Sequence, residues 1–112
     1  MVKLSERDYQ TKLLHALLHP LSEVRMRAII ALGMRRNPIA ADALFDCALR
    51  HPKDVVEGLE IVASLALLQP HSAGHAALCR LAARHPAHAV RSAAKKALLR
   101  EPARDEPEER DD

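Results

Sequence analysis

The chain has 112 residues, of which 48% are hydrophobic and 29% are charged, and Tyr9 and Phe45 are its only aromatic residues. This length suffices for one domain whose core needs no disulfide or metal to hold it together. Ala, Leu, Val and Ile supply most of the apolar content, only three glycines occur and no alternating run is present, which argues against strands and predicts an all-α protein. No signal-peptide core and no run of about 18 apolar residues is present, so we expect a soluble cytoplasmic protein that does not act at a membrane.

The net charge of +2 is unevenly distributed along the chain. Residues 101–112 carry seven acids and two arginines, so this segment has a charge of −5 and the remainder has +7. Residues 61–100 contain no Asp or Glu. The C-terminal segment has no large apolar residue with which to pack, and we expect 101–112 to be a disordered acidic tail.

A His-Pro dipeptide occurs three times, as His19-Pro20, His51-Pro52 and His85-Pro86. The copies are 32 and 34 residues apart, and similarity at such a period indicates a repeat array. Proline cannot continue a helix and biases the preceding residue away from helical geometry, so each dipeptide is predicted to be a corner between two helices. The sequence therefore predicts three helical hairpins within residues 1–100, at about 5–36, 37–68 and 70–100.

In chain order, apolar periodicity predicts six helices, at about 5–18, 22–35, 38–50, 54–68, 72–84 and 87–100. Their predicted N-caps are Ser5, Ser22, Asn37, Asp54 (with Glu57 in a capping-box position) and Ser72. The first and last helices are apolar on one side, as suits terminal elements, whereas the fourth is apolar almost all round. The fourth helix should therefore be the most buried.

Residues 22–33 read Ser-Glu-Val-Arg-Met-Arg-Ala-Ile-Ile-Ala-Leu-Gly. The spacing of Val24-Arg25, Ala28 and Ala31-Leu32-Gly33 resembles the second helix of a HEAT repeat, especially the HEAT-like form of bacterial phycobilisome-lyase-type repeats. Residues 89–98 are similar, but the middle unit has Glu57 where the pattern has Arg. The resemblance implies a right-handed α-solenoid whose second helices line a concave side, and most members of the family are protein-binding scaffolds.

We therefore expect a non-catalytic interaction scaffold or adaptor, whose protein partner the sequence does not identify. The predicted groove residues are Arg25, Ile29, Glu57, Glu60, Ser64, Arg91 and Lys95. A structural alternative is that Arg25, Glu57 and Arg91 form a ladder that holds neighbouring units in register. Exposure of Met26, Ile30 or Met34 would allow a weak homodimer instead of a monomer.

The alternative function is binding of RNA or DNA phosphates by the acid-free third unit, screened by the acidic tail. The candidate basic patch consists of Arg80, Arg84, Arg91, Lys95, Lys96 and Arg100. Against this alternative, no exposed aromatic residue is expected for base stacking, and Glu57 and Glu60 interrupt the positive charge.

Catalysis and metal binding have little support in the sequence. No nucleophile elbow, Walker loop, CxxC pair or HExxH motif occurs, and an enzymatic (lyase-like) role would rest on family analogy alone. His71, His75 and Cys79 share a helical face, but two turns would spread them over roughly 12 Å, too far for one ion. We predict no cofactor and no metal. His19, His51 and His85 are expected to bond the carbonyls that end equivalent helices, and Cys47 and Cys79 to be small core residues.

Overall fold

A computed structural model of the chain describes residues 6–100, in which helices are joined by short turns. Six α-helices lie within these residues: α1 (Glu6–Ala16), α2 (Ser22–Arg35), α3 (Ala41–Arg50), α4 (Val55–Leu67), α5 (Ser72–Arg84) and α6 (His88–Leu99). A 3₁₀ turn at Pro38–Ala40 precedes α3, and no strand is present in this part of the chain. The all-α prediction is confirmed. The predicted Ser5 cap and the predicted disordered tail lie outside the described residues.

The helix starts show which caps the sequence predicted correctly. Asn37 Oδ1 accepts a hydrogen bond from the Ile39 N–H at 3.0 Å, and Asp54 Oδ1 accepts one from the Glu57 N–H at 3.0 Å. Both caps are as predicted. Ser22 and Ser72 instead are the first residues of their helices, and the N-cap positions before them make no side-chain capping bond. In the first corner the His19 ring, and not Ser22, accepts a hydrogen bond from a backbone N–H, as described below.

The helices pack as hairpins whose second members also pack on one another. α1 contacts α2, α3 contacts α4, and α5 contacts α6, while α2 packs on α4, α4 packs on α6, and α3 packs on α5. The central helix α4 therefore contacts helices on both sides of it. The molecule is 20 Å thick along its shortest axis, which is the thickness of two layers of helices.

The core is aliphatic and runs through all three hairpins. Its largest fully buried apolar side chains are Leu17, Ile29, Leu32, Leu44, Ile61, Leu65, Leu68, Leu78, Leu81 and Val90. Cys47 is buried as predicted, but the same prediction is wrong for Cys79, which is exposed. α5 turns Leu78 and Leu81 inward, which leaves Cys79 on its outer side.

Two glycines allow the second helices to approach each other closely. A Cβ atom at Gly33 of α2 would lie 2.6 Å from Ser64 Oγ of α4, and one at Gly58 of α4 would lie 2.7 Å from Val90 Cγ2 of α6. Real Cβ atoms do not tolerate such contacts, because they are shorter than van der Waals distances. These glycines therefore set the spacing of α2, α4 and α6.

Candidate functional site

The first and third His-Pro corners share one hydrogen-bonding arrangement. His19 Nδ1 accepts a hydrogen bond from the Leu21 N–H at 3.0 Å, and His85 Nδ1 accepts one from the Ala87 N–H at 3.0 Å. Each ring thus satisfies an N–H that would otherwise lack a partner at the start of the next helix. The sequence predicts that these rings bond carbonyls at the ends of the helices that they terminate. This prediction is wrong for Nδ1. The proline N has no hydrogen, so Nδ1 accepts a hydrogen bond from the N–H of the residue after the proline.

His85 is the more constrained of the two rings, since it is 1% exposed. Its Nε2 lies 3.3 Å from the carbonyl oxygen of Ala48 in α3. Because Nδ1 accepts a bond, Nε2 carries the hydrogen and donates it to Ala48, which defines a neutral tautomer. Burial lowers the pKa of His85 below its ordinary value, and the positive charge of Arg91 lowers it further. The hydrogen bond from His85 to Ala48 thus links the third corner to the second hairpin.

Two arginines complete these corners. Arg25 Nη1 donates to the carbonyl oxygens of His19 and Pro20 at 2.8 and 3.0 Å. Arg91 Nη1 donates to those of His85 and Pro86 at 2.8 and 2.9 Å. These carbonyls follow the end of a helix and have no helical donor, so each arginine satisfies two acceptors at once.

The middle unit has Glu57 at the corresponding position, and this glutamate is 1% exposed. Its Oε1 accepts a hydrogen bond from Arg25 Nε at 2.9 Å, and its Oε2 accepts one from the Cys47 thiol at 3.5 Å. Asp54 Oδ2 lies 4.0 Å from Arg25 Nη2 and adds a second negative charge. Burial, reinforced by the Glu57 carboxylate, raises the pKa of Cys47 to about 12, so this thiol stays protonated and unreactive.

The predicted ladder is therefore present on one side only. Arg25 and Glu57 form the buried pair that joins α2 to α4. Within residues 6–100, no ion pair joins Arg91 to Glu57, and the Arg91 guanidinium donates to the corner carbonyls alone. At the corresponding place between α4 and α6, Val90 lies against Gly58, and Gln69 Nε2 donates to the Ala97 carbonyl at 3.3 Å further along.

Four of the seven predicted groove residues are buried between helices. Arg25, Ile29, Glu57 and Ser64 have almost no exposed surface, and Ser64 Oγ donates a 2.7 Å hydrogen bond to the Ile29 carbonyl. The prediction that these four face a partner is wrong, because the contact at Gly33 brings α2 and α4 together over them. Of the other three, Glu60 and Arg91 are half-buried and Lys95 is exposed. A partner-binding role for these three stays a prediction.

The solvent-facing side of α2 and α4 carries several exposed apolar side chains, with the exposed Glu23 and Arg27 beside them on α2. Met34 is 71% exposed and Val56 is 69% exposed, and Ile30 and Leu59 are exposed as well. Arg25 contacts Glu57 near the starts of the two helices, and Ile29 contacts Ser64 further along, so α2 and α4 run in the same direction. The apolar residues on this side, together with Glu60, form two parallel rows. We call these rows the α2–α4 face: Met26, Ile30 and Met34 on α2, and Val56, Leu59, Glu60 and Ala63 on α4.

This face was missed from the sequence for an identifiable reason. The predicted groove residues of the fourth helix, Glu57, Glu60 and Ser64, are polar residues, yet Glu57 and Ser64 bond to α2 and are buried. The four-residue spacing of Met26, Ile30 and Met34 was the available signal, and it had suggested a homodimer contact.

The six residues of the predicted basic patch differ in their exposure and in their contacts. Arg80 Nη2 donates to Asp42 at 2.9 Å, and its guanidinium lies 4.7 Å from the centre of the Phe45 ring. Arg91 donates to its corner carbonyls, so the guanidinium groups of both arginines have partners within the chain. A phosphate-binding role for the patch stays a prediction. Arg84, Lys95, Lys96 and Arg100 are exposed. Arg84 and Arg100 lie near opposite ends of α6, a helix of 12 residues and about 18 Å.

A cavity of about 430 Å³ lies beside α1 and the start of the second hairpin. Its described lining is Arg7, Gln10, Thr11, Leu14, Arg35, Asn37 and Ile39. Arg35 Nε donates to Gln10 Oε1 at 2.7 Å, and its guanidinium lies 4.9 Å from the centre of the Tyr9 ring. This lining includes no carboxylate, imidazole or thiol for general acid–base or nucleophilic chemistry.

No protein-family model, curated protein or solved structure matches this chain. The HEAT-like resemblance therefore depends on the sequence patterns quoted above. Among residues 6–100, no cluster of three or more His, Cys, Asp or Glu side chains is arranged to hold a metal ion. None of the helices described has the length and apolar character needed to cross a membrane.

Proposed function

We propose that this protein is a non-catalytic protein-interaction module, a scaffold or adaptor that docks a partner on the α2–α4 face. The observation that carries the proposal is the run of exposed apolar side chains on two adjoining helices, with Met34 and Val56 more than two-thirds exposed. Contiguous exposed apolar surface on a soluble protein marks a site of interaction, because leaving it in water has a free-energy cost.

In this proposal the three hairpins stack as a right-handed HEAT-like α-solenoid, with the second helices forming the docking layer. The buried network of Arg25, Glu57 and Ser64 supports the face from beneath, since it fixes α2 relative to α4. A rigid surface loses little conformational entropy when it binds, so more of the apolar contact energy is available for affinity.

The test compares two aspartate variants in a pull-down from a nuclease-treated native lysate. Val56→Asp puts a charge on the α2–α4 face, in the first turn of α4 where an acid is compatible with the helix dipole. Ile39→Asp is the matched control, because Ile39 is also 69% exposed but lies in the 3₁₀ turn outside this face.

We expect a protein that the unmodified chain retains to be lost with Val56→Asp and kept with Ile39→Asp. Loss with both variants would show a general effect of added acid. Loss of all bound protein on nuclease treatment would favour the nucleic-acid alternative and contradict the proposal.

A further inference from the structure

One acidic side chain interrupts the apolar rows of the α2–α4 face. Glu60 lies three residues after Glu57 and four before Ser64, both of which bond to α2, so it is on the α2 side of α4. The register set by those two contacts places it opposite the turns of α2 that carry Met26 and Ile30. Glu60 is half-buried, and within residues 6–100 its carboxylate makes no hydrogen bond or ion pair.

Within residues 6–100 no cation forms an ion pair with Glu60, including the exposed Arg27 next to this face. Arg25 is committed to Glu57, Asp54 and two backbone carbonyls. A carboxylate on an apolar surface becomes costly when a partner removes its water, unless the partner supplies a positive charge. A partner that covers Glu60 therefore needs to place a positive charge beside it.

We infer that the α2–α4 face binds an amphipathic helix whose apolar stripe is interrupted by one Lys or Arg, placed to pair with Glu60. This inference rests on the proposed docking function and specifies the chemistry of the partner. Parallel rows of apolar side chains on two adjoining helices suit the i, i+3, i+4, i+7 anchors of a docked helix. The chain's own segment 101–112 is a poor occupant, because it has no large apolar residue and a charge of −5.

The probes are three labelled helical peptides of 14 residues, the length of α2. They share one stripe of leucines and differ only at the residue beside its centre, which is Lys, Gln or Glu. Dissociation constants are measured by fluorescence anisotropy with the full chain, with Glu60→Gln, with Glu60→Lys and with the uncharged double variant Met34→Gln/Val56→Gln. Circular dichroism checks that each variant is folded.

We expect the Lys peptide to bind the unmodified chain about 3- to 10-fold more tightly than the Gln peptide, as for a partly desolvated ion pair. Glu60→Gln should remove that preference and change binding of the Gln peptide less than about twofold, since its apolar contacts are unchanged. Glu60→Lys should reverse the preference in favour of the Glu peptide.

The controls separate the two proposals. Equal binding of all three peptides, weakened by Met34→Gln/Val56→Gln, would leave the docking function standing and overturn the pairing with Glu60. Absence of binding, or binding that the double variant does not weaken, would overturn the docking function. Sedimentation showing a dimer that the double variant disrupts would make a second copy the occupant, for which Arg27 is the exposed cation next to this face, and would overturn the separate helix.

Discussion

The buried charges of the α2–α4 junction are nearly all compensated. Glu57 accepts from Arg25 and from the Cys47 thiol, and Arg25 also satisfies two carbonyls that follow α1. Removing one member of such a group leaves the others buried without a partner, which costs more than an average hydrogen bond. Glu60 lies one turn away without these contacts and provides an internal comparison.

Glu57→Gln should lower the free energy of unfolding by about 1–3 kcal/mol, because the amide keeps the shape of the side chain but removes the nearest negative charge from the buried Arg25. Glu60→Gln should change it by less than about 0.5 kcal/mol, as for a surface substitution. Urea denaturation at neutral pH measures both values. Equal, small losses would mean that desolvation cancels the attraction within the buried pair.

His85 should make stability depend on pH. Burial lowers its pKa in the folded state below the ordinary 6.5, so the unfolded chain takes up a proton first as the pH falls. The stabilisation by neutral His85 is thus complete above about pH 6.5 and is lost as the pH falls through the lowered folded-state value.

His85→Asn removes this titration but keeps an acceptor for the Ala87 N–H, as in an Asx turn. We expect the variant to be less stable at neutral pH and to lose less stability than the unmodified chain between about pH 6.5 and 5. His51→Asn is the control, because the His51 ring makes no hydrogen bond among the described residues. Parallel pH profiles for the unmodified chain and His85→Asn would contradict the assignment.

At the scale of helices, the position of each element was predictable and its orientation was only partly so. Proline corners and apolar periodicity placed the six helices to within about two residues, apart from the 3₁₀ turn that precedes α3. Periodicity could not tell which side of α4 faces α2, since α4 is apolar almost all round. The outward row of α4 was therefore assigned to Glu57 and Ser64 instead of Val56 and Leu59. That distinction depends on the close approach at Gly33, which is a tertiary property.

Gly33→Ala tests that approach. Alanine normally favours a helix over glycine by about 1 kcal/mol, yet here its Cβ would also lie 2.9 Å from the Ser64 Cα, which belongs to the backbone. We expect a net loss of about 1–3 kcal/mol from overpacking, measured by urea denaturation. Ala63→Gly, on the exposed side of α4, measures helix propensity alone and should lose about 1 kcal/mol. Stabilisation by Gly33→Ala would show that α2 can move away from α4 at little cost.

For the whole molecule, the main contrast is between the apolar α2–α4 face and the positive charge of the third unit. Residues 61–100 contain no acid, and the charge of −5 in residues 101–112 immediately follows them. Arg84, Lys95, Lys96 and Arg100 remain exposed for electrostatic contacts. Screening by salt separates such long-range attraction from apolar docking.

Deletion of residues 101–112 should leave the free energy of unfolding within about 0.5 kcal/mol of the full chain, since this segment has no large apolar side chain to bury. If its acids screen the exposed cations, the shortened chain should bind heparin more tightly at low salt, with a smaller difference at high salt. Thermal denaturation and heparin chromatography measure the two effects. A stability loss above about 1 kcal/mol would show that the segment packs against the helices.

The Arg25–Glu57 pair also makes the order of the hairpins matter. The cation that pairs with Glu57 comes from the hairpin before it, whereas the hairpin after it places Val90 against Gly58 and no cation against Glu57 among the described residues. A tandem duplication of the middle hairpin alone would stack one buried Glu57 beside another without an intervening Arg25. Copying the first and middle hairpins together would keep an Arg25 beside each Glu57, so this buried charge determines which hairpin has to precede the middle one.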